Sequence, residues 1–100
     1  MAIVEVSIIP VGTKTPSVGK YVARAISVLE HQRDVAYKLT PMGTVIQGDL
    51  DRVLSIVRQM HESGFAEEVQ RVLTTITIDD RRDKASTMEG KVLSVQNKLR

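Results

Sequence analysis

Apolar and polar positions alternate one by one in residues 2–9, AIVEVSII, with Val4, Val6 and Ile8 on one side and Glu5 and Ser7 on the other. A repeat of two belongs to a half-buried strand. Pro10, Gly12 and the polar Thr13-Lys14-Thr15 end it. The period then lengthens: Val18, Val22, Ala25, Ile26 and Leu29 recur at helical spacing. Thr15 is placed to cap that helix, with Pro16 in the first position, where a missing N–H costs nothing. Alternation returns at Val35, Tyr37 and Leu39. Pro41-Met42-Gly43-Thr44 then breaks the run, and residues 44–47 form a second short strand, so the pair reads as a hairpin.

Asp49 or Asp51 caps the next helix, whose apolar set is Leu50, Val53, Leu54, Val57 and Met60, and Gly64 stops it. Residues 70–78 are rich in β-branched side chains and set Val72, Thr74, Ile76 and Ile78 on one face. Met88, Val92, Val95 and Leu99 recur at helical spacing in a last helix, whose first turn Gly90 weakens. The order strand, helix, strand, strand, helix, strand, plus a C-terminal helix, predicts an α+β fold. It is a ferredoxin-like βαββαβ sandwich, with two helices on one face of a four-stranded antiparallel sheet. One domain over residues 1–100 accommodates it.

Ile3, Ile9 and Leu73 stand out of phase with the core residues and therefore on the outward face of that sheet. An apolar patch there predicts an interface. The last helix covers part of it and neighbouring subunits the rest, which makes the protein a homo-oligomer.

Composition narrows the function. A net charge of +2 with mixed signs, as in DDRRDK, is no polyanion footprint, and Tyr21, Tyr37 and Phe65 offer little for bases to stack on. Nucleic acid is not an expected partner. With no cysteine, disulfides and thiolate metal sites are excluded, in keeping with a reducing compartment. The alternating N-terminus lacks a basic leader, and no run reaches the roughly 18 apolar residues of a membrane helix. A cytoplasmic protein with no membrane partner is the expectation.

Candidate chemistry is sparse. His31 and His61 lie near helix ends without ligands at metal spacing, so no metal or cofactor is expected. Ser17, Ser27, Ser55 and Ser63 lack a nucleophile elbow, and GTKTPSVGK lacks the spacing of a phosphate loop. No catalytic residue is assigned, and the protein is not read as an enzyme. A small acyl-phosphate hydrolase would need an arginine in the loop after the first strand, where this chain offers only Lys14. Two features stay open between structure and binding. One is the loop VGTKTPS, whose Thr15 and Ser17 either cap a helix or present its N-terminus to an acceptor. The other is IDDRRDK, residues 78–84, either a solvated run of ion pairs or a partly enclosed cluster at Asp79 and Asp80.

Spread over the chain are Ile9-Pro10-Val11-Gly12, Ser17 before Tyr21-Val22-Ala23, Met42-Gly43-Thr44 with Gly48, Thr74-Thr75-Ile76 leading into Ile78-Asp79-Asp80-Arg81-Arg82-Asp83, and Lys91-Val92 with Ser94-Val95. In these the chain resembles the YkoF-like thiamine-binding protein family. The resemblance implies dimers that pair into tetramers, and a site for thiamine or its hydroxymethylpyrimidine moiety near subunit contacts. It implies contacts at Thr15, Ser17, Met42, Gly43 and Thr44, with Asp79 as a further one. Gln47 is counted with these contacts, at a position where members often have a carboxylate, and the chain has Gly19 where they often have serine.

Two functions compete. One is non-enzymatic binding of thiamine or its pyrimidine part, as carrier, sequestering protein or sensor. The other is an oligomeric regulatory or scaffolding module that binds a protein partner through its exposed apolar positions.

Overall fold

A computed structural model of the chain describes residues 1–99. The elements are β1 (Ala2–Val11), α1 (Gly19–Glu30), β2 (Ala36–Thr40), β3 (Gly43–Gly48), α2 (Leu50–Ser63), β4 (Arg71–Asp79) and α3 (Met88–Lys98). The sheet order is β2-β3-β1-β4, with every neighbouring pair antiparallel. That is the ferredoxin-like arrangement with an added C-terminal helix. The first strand is therefore central, and its Val4 and Val6 are buried between both neighbours and the helices.

One face of the sheet carries α1 and α2. The core between them holds Val4, Val6, Ala25, Leu29, Ile46, Val53, Ile56, Val57 and Met60. Ile56 replaces Leu54 in the expected set. Positions 53, 56, 57 and 60 form the seam facing the sheet, which leaves Leu54 at its rim and 36 % exposed. Asp49 caps α2 as its sequence suggests, its carboxylate accepting the Arg52 N–H. Gly48 lets Val35 and α2 close on the end of β3, since a Cβ there would lie 2.8 Å from the Val35 side chain and 3.2 Å from that of Val53.

Helix α1 begins later than its sequence suggests. Thr15 is not its cap and Pro16 not its first residue. The Thr15 hydroxyl accepts the Ser17 N–H at 3.2 Å, and the Thr15 carbonyl accepts the Thr13 hydroxyl. This closes a local turn ahead of the helix. Val18 holds the cap position with no side-chain bond, and its carbonyl takes the N–H groups of Tyr21 and Val22. Buried Tyr21 joins Ala25 and Leu29 on the inner side of α1.

The strand β4 has the predicted phase, because Val72, Thr74, Ile76 and Ile78 stand opposite Pro10, Ile8, Val6 and Val4. Being an edge strand, it reaches beyond the helical layer, so Ile76 and Ile78 remain half-exposed. On the outer face the opposed pair Ile9 and Leu73 is exposed, as expected of the apolar patch. Helix α3 lies over the other part of that face. Thr87 caps it through the Gly90 N–H at 2.9 Å, yet none of its residues is buried.

Candidate functional site

The connection between β2 and β3 is two residues long, Pro41 and Met42. Proline fixes φ near −65°, and Met42 has no positive φ, so the turn has the hand of type I rather than of the primed hairpin turns. Thr40 secures it, donating its hydroxyl to the Gly43 carbonyl at 2.8 Å and accepting the Met42 N–H at 3.3 Å. Behind the turn the chain passes close to β1. A Cβ on Gly43 would stand 2.8 Å from the Val6 carbonyl oxygen, so a bare backbone is required.

That hairpin forms one wall of a pocket of about 320 Å³. The other walls are Val6 and Ile8 of β1, Val18, Val22, Ala25 and Ile26 at and along α1, and Met60 at the floor. The volume lies in the range of small-molecule sites, roughly 300–1,000 Å³. No charged side chain lines it, and Ser7, Thr40 and Thr44 are its hydroxyl-bearing residues. Thr44 is the one buried polar residue among the described residues. Met42 projects at the mouth, 82 % exposed.

Of the expected site residues, Met42, Gly43 and Thr44 come together here. Thr15 and Ser17 occupy the loop that delivers Val18 to the pocket, without lining it. Gln47 and Asp79 lie elsewhere. They flank Ile3 from neighbouring strands on the outer face, at the other end of the sheet. There the Gln47 side-chain oxygen accepts the Met88 N–H at 2.8 Å, and Asp79 pairs with Lys91, so both hold the start of α3. A second cleft, about 570 Å³, separates α3 from Ile3, Lys38 and Val45.

The acidic and basic run after β4 pairs within itself, Arg82 with Asp80 and Arg81 with Asp83. The Arg82 guanidinium holds the Asp80 carboxyl below its ordinary value. Among the described residues, no group of three or more His, Asp or Glu is placed to hold a metal ion. His61 is engaged through Nδ1 with the Thr74 hydroxyl at 2.6 Å.

The sequence reading missed Val18, Val22, Ala25 and Ile26 as pocket wall. Their helical spacing marks them as inward-facing, and periodicity does not distinguish a wall from a core.

The profile of the thiamine-binding protein family matches residues 4–96. The UPF0045 protein YqgV of Bacillus subtilis is 47 % identical over 102 residues, covering 99 % of this chain and 98 % of that protein. Hypothetical protein MJ1052 of Methanocaldococcus jannaschii has a solved structure that superposes with a TM-score of 0.86 at 40 % identity, over 95 % of each chain. A proposed thiamine biosynthesis/salvage protein of Thermotoga maritima shares the fold, with a TM-score of 0.76 at 18 % identity over 94 % of this chain and 97 % of that one.

Proposed function

Because this chain belongs to the thiamine-binding protein family, we propose that it is a non-enzymatic binding protein for thiamine or its hydroxymethylpyrimidine moiety. Its role is that of a cytoplasmic carrier, sequestering protein or sensor. The observation that carries this reading is the pocket under the β2–β3 hairpin, sized for one small ring and walled by Met42, Gly43 and buried Thr44. An aminopyrimidine is flat and neutral, with donors and acceptors at its edge. The Thr44 hydroxyl and the backbone at Gly43 can pair with that edge while aliphatic side chains sandwich the ring. The thiazolium is a cation, and burying it without a counter-charge is costly. With no charge in the lining, it stays at the mouth beside Met42 and the loop of Thr15 and Ser17.

Gln47 and Asp79 are too remote to touch the same ligand within one subunit. They reach it only where a neighbouring subunit brings its outer face to this pocket, which suits a homo-oligomer built as a dimer of dimers. The pocket offers hydroxyl groups and backbone to a ligand and no ionisable side chain, a lining suited to holding a neutral ring.

Titration calorimetry with thiamine and hydroxymethylpyrimidine on size-defined protein tests this. Saturable micromolar binding is expected, weakened about fivefold to tenfold by Thr44→Val, the loss of one hydrogen bond of about 1 kcal/mol. Flat heats for both compounds overturn it.

A further inference from the structure

The start of α1 is weak on its own terms. Val18 caps it with no side-chain bond, and its first turn holds no acidic residue. That turn does hold Lys20, a cation at the positive end of the helix dipole. Gly19 before it favours the unwound chain. In the loop ahead of the helix, the side-chain bonds among Thr13, Thr15 and Ser17 stay within the loop.

What this turn lacks comes from a distant part of the chain. Glu67, in the connection between α2 and β4, sets one carboxylate oxygen 2.6 Å from Lys20 Nζ and the other 3.2 Å from Arg24 Nη2. The hydroxyl of buried Tyr21 lies within 3.5 Å of the same carboxylate. Both cations also stand over the Tyr21 ring, 5.4 and 5.5 Å from its centre. Near the beginning of α1, that carboxylate supplies the negative charge the dipole favours.

The contact is made under strain. Glu67 and Glu68 have φ of 56° and 66°, two successive residues in the left-handed region that favours glycine. No other non-glycine residue among those described has a positive φ. Arg24 Nη1 is buried without a hydrogen-bond partner, the one such side-chain atom among the described residues, and water would satisfy it. Exposed ion pairs are individually weak. Backbone strain and an unmet donor work against these two, which leaves the contact poised to open.

Strain of this kind collects at clamps and switches, and the helix clamped here is a wall of the pocket. Val18, Val22, Ala25 and Ile26 bring α1 to it. The helix leans chiefly on α2 and touches the sheet lightly. We propose that the start of α1, residues 18–26 with the loop before it, is a gate over the pocket, and that Glu67 is the clasp that holds it shut. Release lets Glu67 and Glu68 return to ordinary backbone angles and gives Arg24 Nη1 to water. The uncapped first turns then part from Ile8 and the β2–β3 hairpin. The gate belongs to the pocket whatever ligand enters it, so it is tested on the protein alone.

The chain has no native cysteine, so a single thiol reports opening. Ala25 is 5 % exposed and lines the pocket, whereas Val53 of α2 is fully buried and does not. A thiol at either position reacts with DTNB when its surroundings open. Opening of a gate exposes little surface, and global unfolding exposes much, so the two differ in their response to urea. From zero to about 1 M urea, labelling of Ala25→Cys is expected to be fast and nearly flat, and that of Val53→Cys slow and steep. Glu67→Gln is expected to raise the flat rate about threefold to tenfold, through loss of two weak ion pairs. Salt at about 1 M screens exposed charges, and is expected to raise that rate with Glu67 present but not in the Glu67→Gln background. Labelling of Ala25→Cys as slow and steep as that of Val53→Cys overturns the gate. A flat rate that Glu67→Gln leaves unchanged overturns the clasp, as does salt that speeds both backgrounds alike. Should Ala25→Cys fail to fold, amide hydrogen exchange of α1 against α2 makes the same comparison. Urea-flat exchange in residues 22–26, quickened by Glu67→Gln, is expected there, and exchange as steep in α1 as in α2 overturns the gate.

Discussion

Gly43 leaves no room for a methyl group, and Gly19 leaves ample room. The pair makes a controlled comparison. Gly43→Ala forces the hairpin away from the Val6 carbonyl, an overpacking cost of about 1–3 kcal/mol. In a domain of this size each kcal/mol lowers the melting temperature by about 4–8 °C. Gly19→Ala, at the start of α1, is expected to leave the melting temperature unchanged or raise it slightly. Glu67 supplies a second residue-level test. Its carboxyl is held below the ordinary value chiefly by the hydrogen bond from Lys20; burial opposes this, and Arg24 adds to the lowering. A carboxylate lowered in the folded state stabilises above its ordinary pKa of 4.5, and that contribution fades as the pH falls through the folded value. Urea midpoints taken on either side of pH 4.5 are expected to fall less steeply in Glu67→Gln than in the wild type. The hairpin turn was legible because a Pro-Met-Gly break between two alternating apolar runs has few other readings, whereas Met42, Gly43 and Thr44 as site residues came from the family resemblance. The interaction of Glu67 with α1 was not, since it joins a loop residue to a helix far away in the chain.

Elements were readable in kind and less so in their ends. Asp49 precedes an apolar periodic run directly, and it is the cap of α2. Thr15 carries the same kind of signal, yet its hydroxyl is consumed by the Ser17 N–H, and α1 begins only at Gly19. Denaturant unfolding separates the two cases. Asp49→Ala is expected to lose about 1 kcal/mol, as a capping aspartate does. Thr15→Ala is expected to stay within about 0.5 kcal/mol of wild type, the range of surface changes away from such features. The sequence of α3 shows four apolar positions at helical spacing, which in a lone chain reads as a buried stripe. No residue of α3 is buried. Periodicity reports which side of a helix is apolar, and not whether this copy of the chain supplies the surface to cover it.

At the scale of the molecule, the four-stranded sheet and its helical layer followed from the order of elements, because only a few packings bury their apolar faces together. The candidate site followed in part. The family resemblance drew in Asp79, and Gln47 at a position where members often have a carboxylate, but the sheet has two faces and sequence spacing alone does not say which residues share a ligand.

The position of β1 has a bearing on how the chain is made. Its neighbours in the sheet are β3 and β4, and Ile3 stands opposite both Gln47 and Asp79. On a ribosome adding about 5–20 residues per second, β1 emerges first and waits several seconds before β4 exists to pair with it. Until then Val4, Val6 and Ile8 sit on a strand with an open side, the condition in which nascent chains recruit chaperones or one another. The non-local pairing also slows closure of the sheet, since a long loop must be ordered before its contacts form. The central strand of the finished sheet is the last to be enclosed.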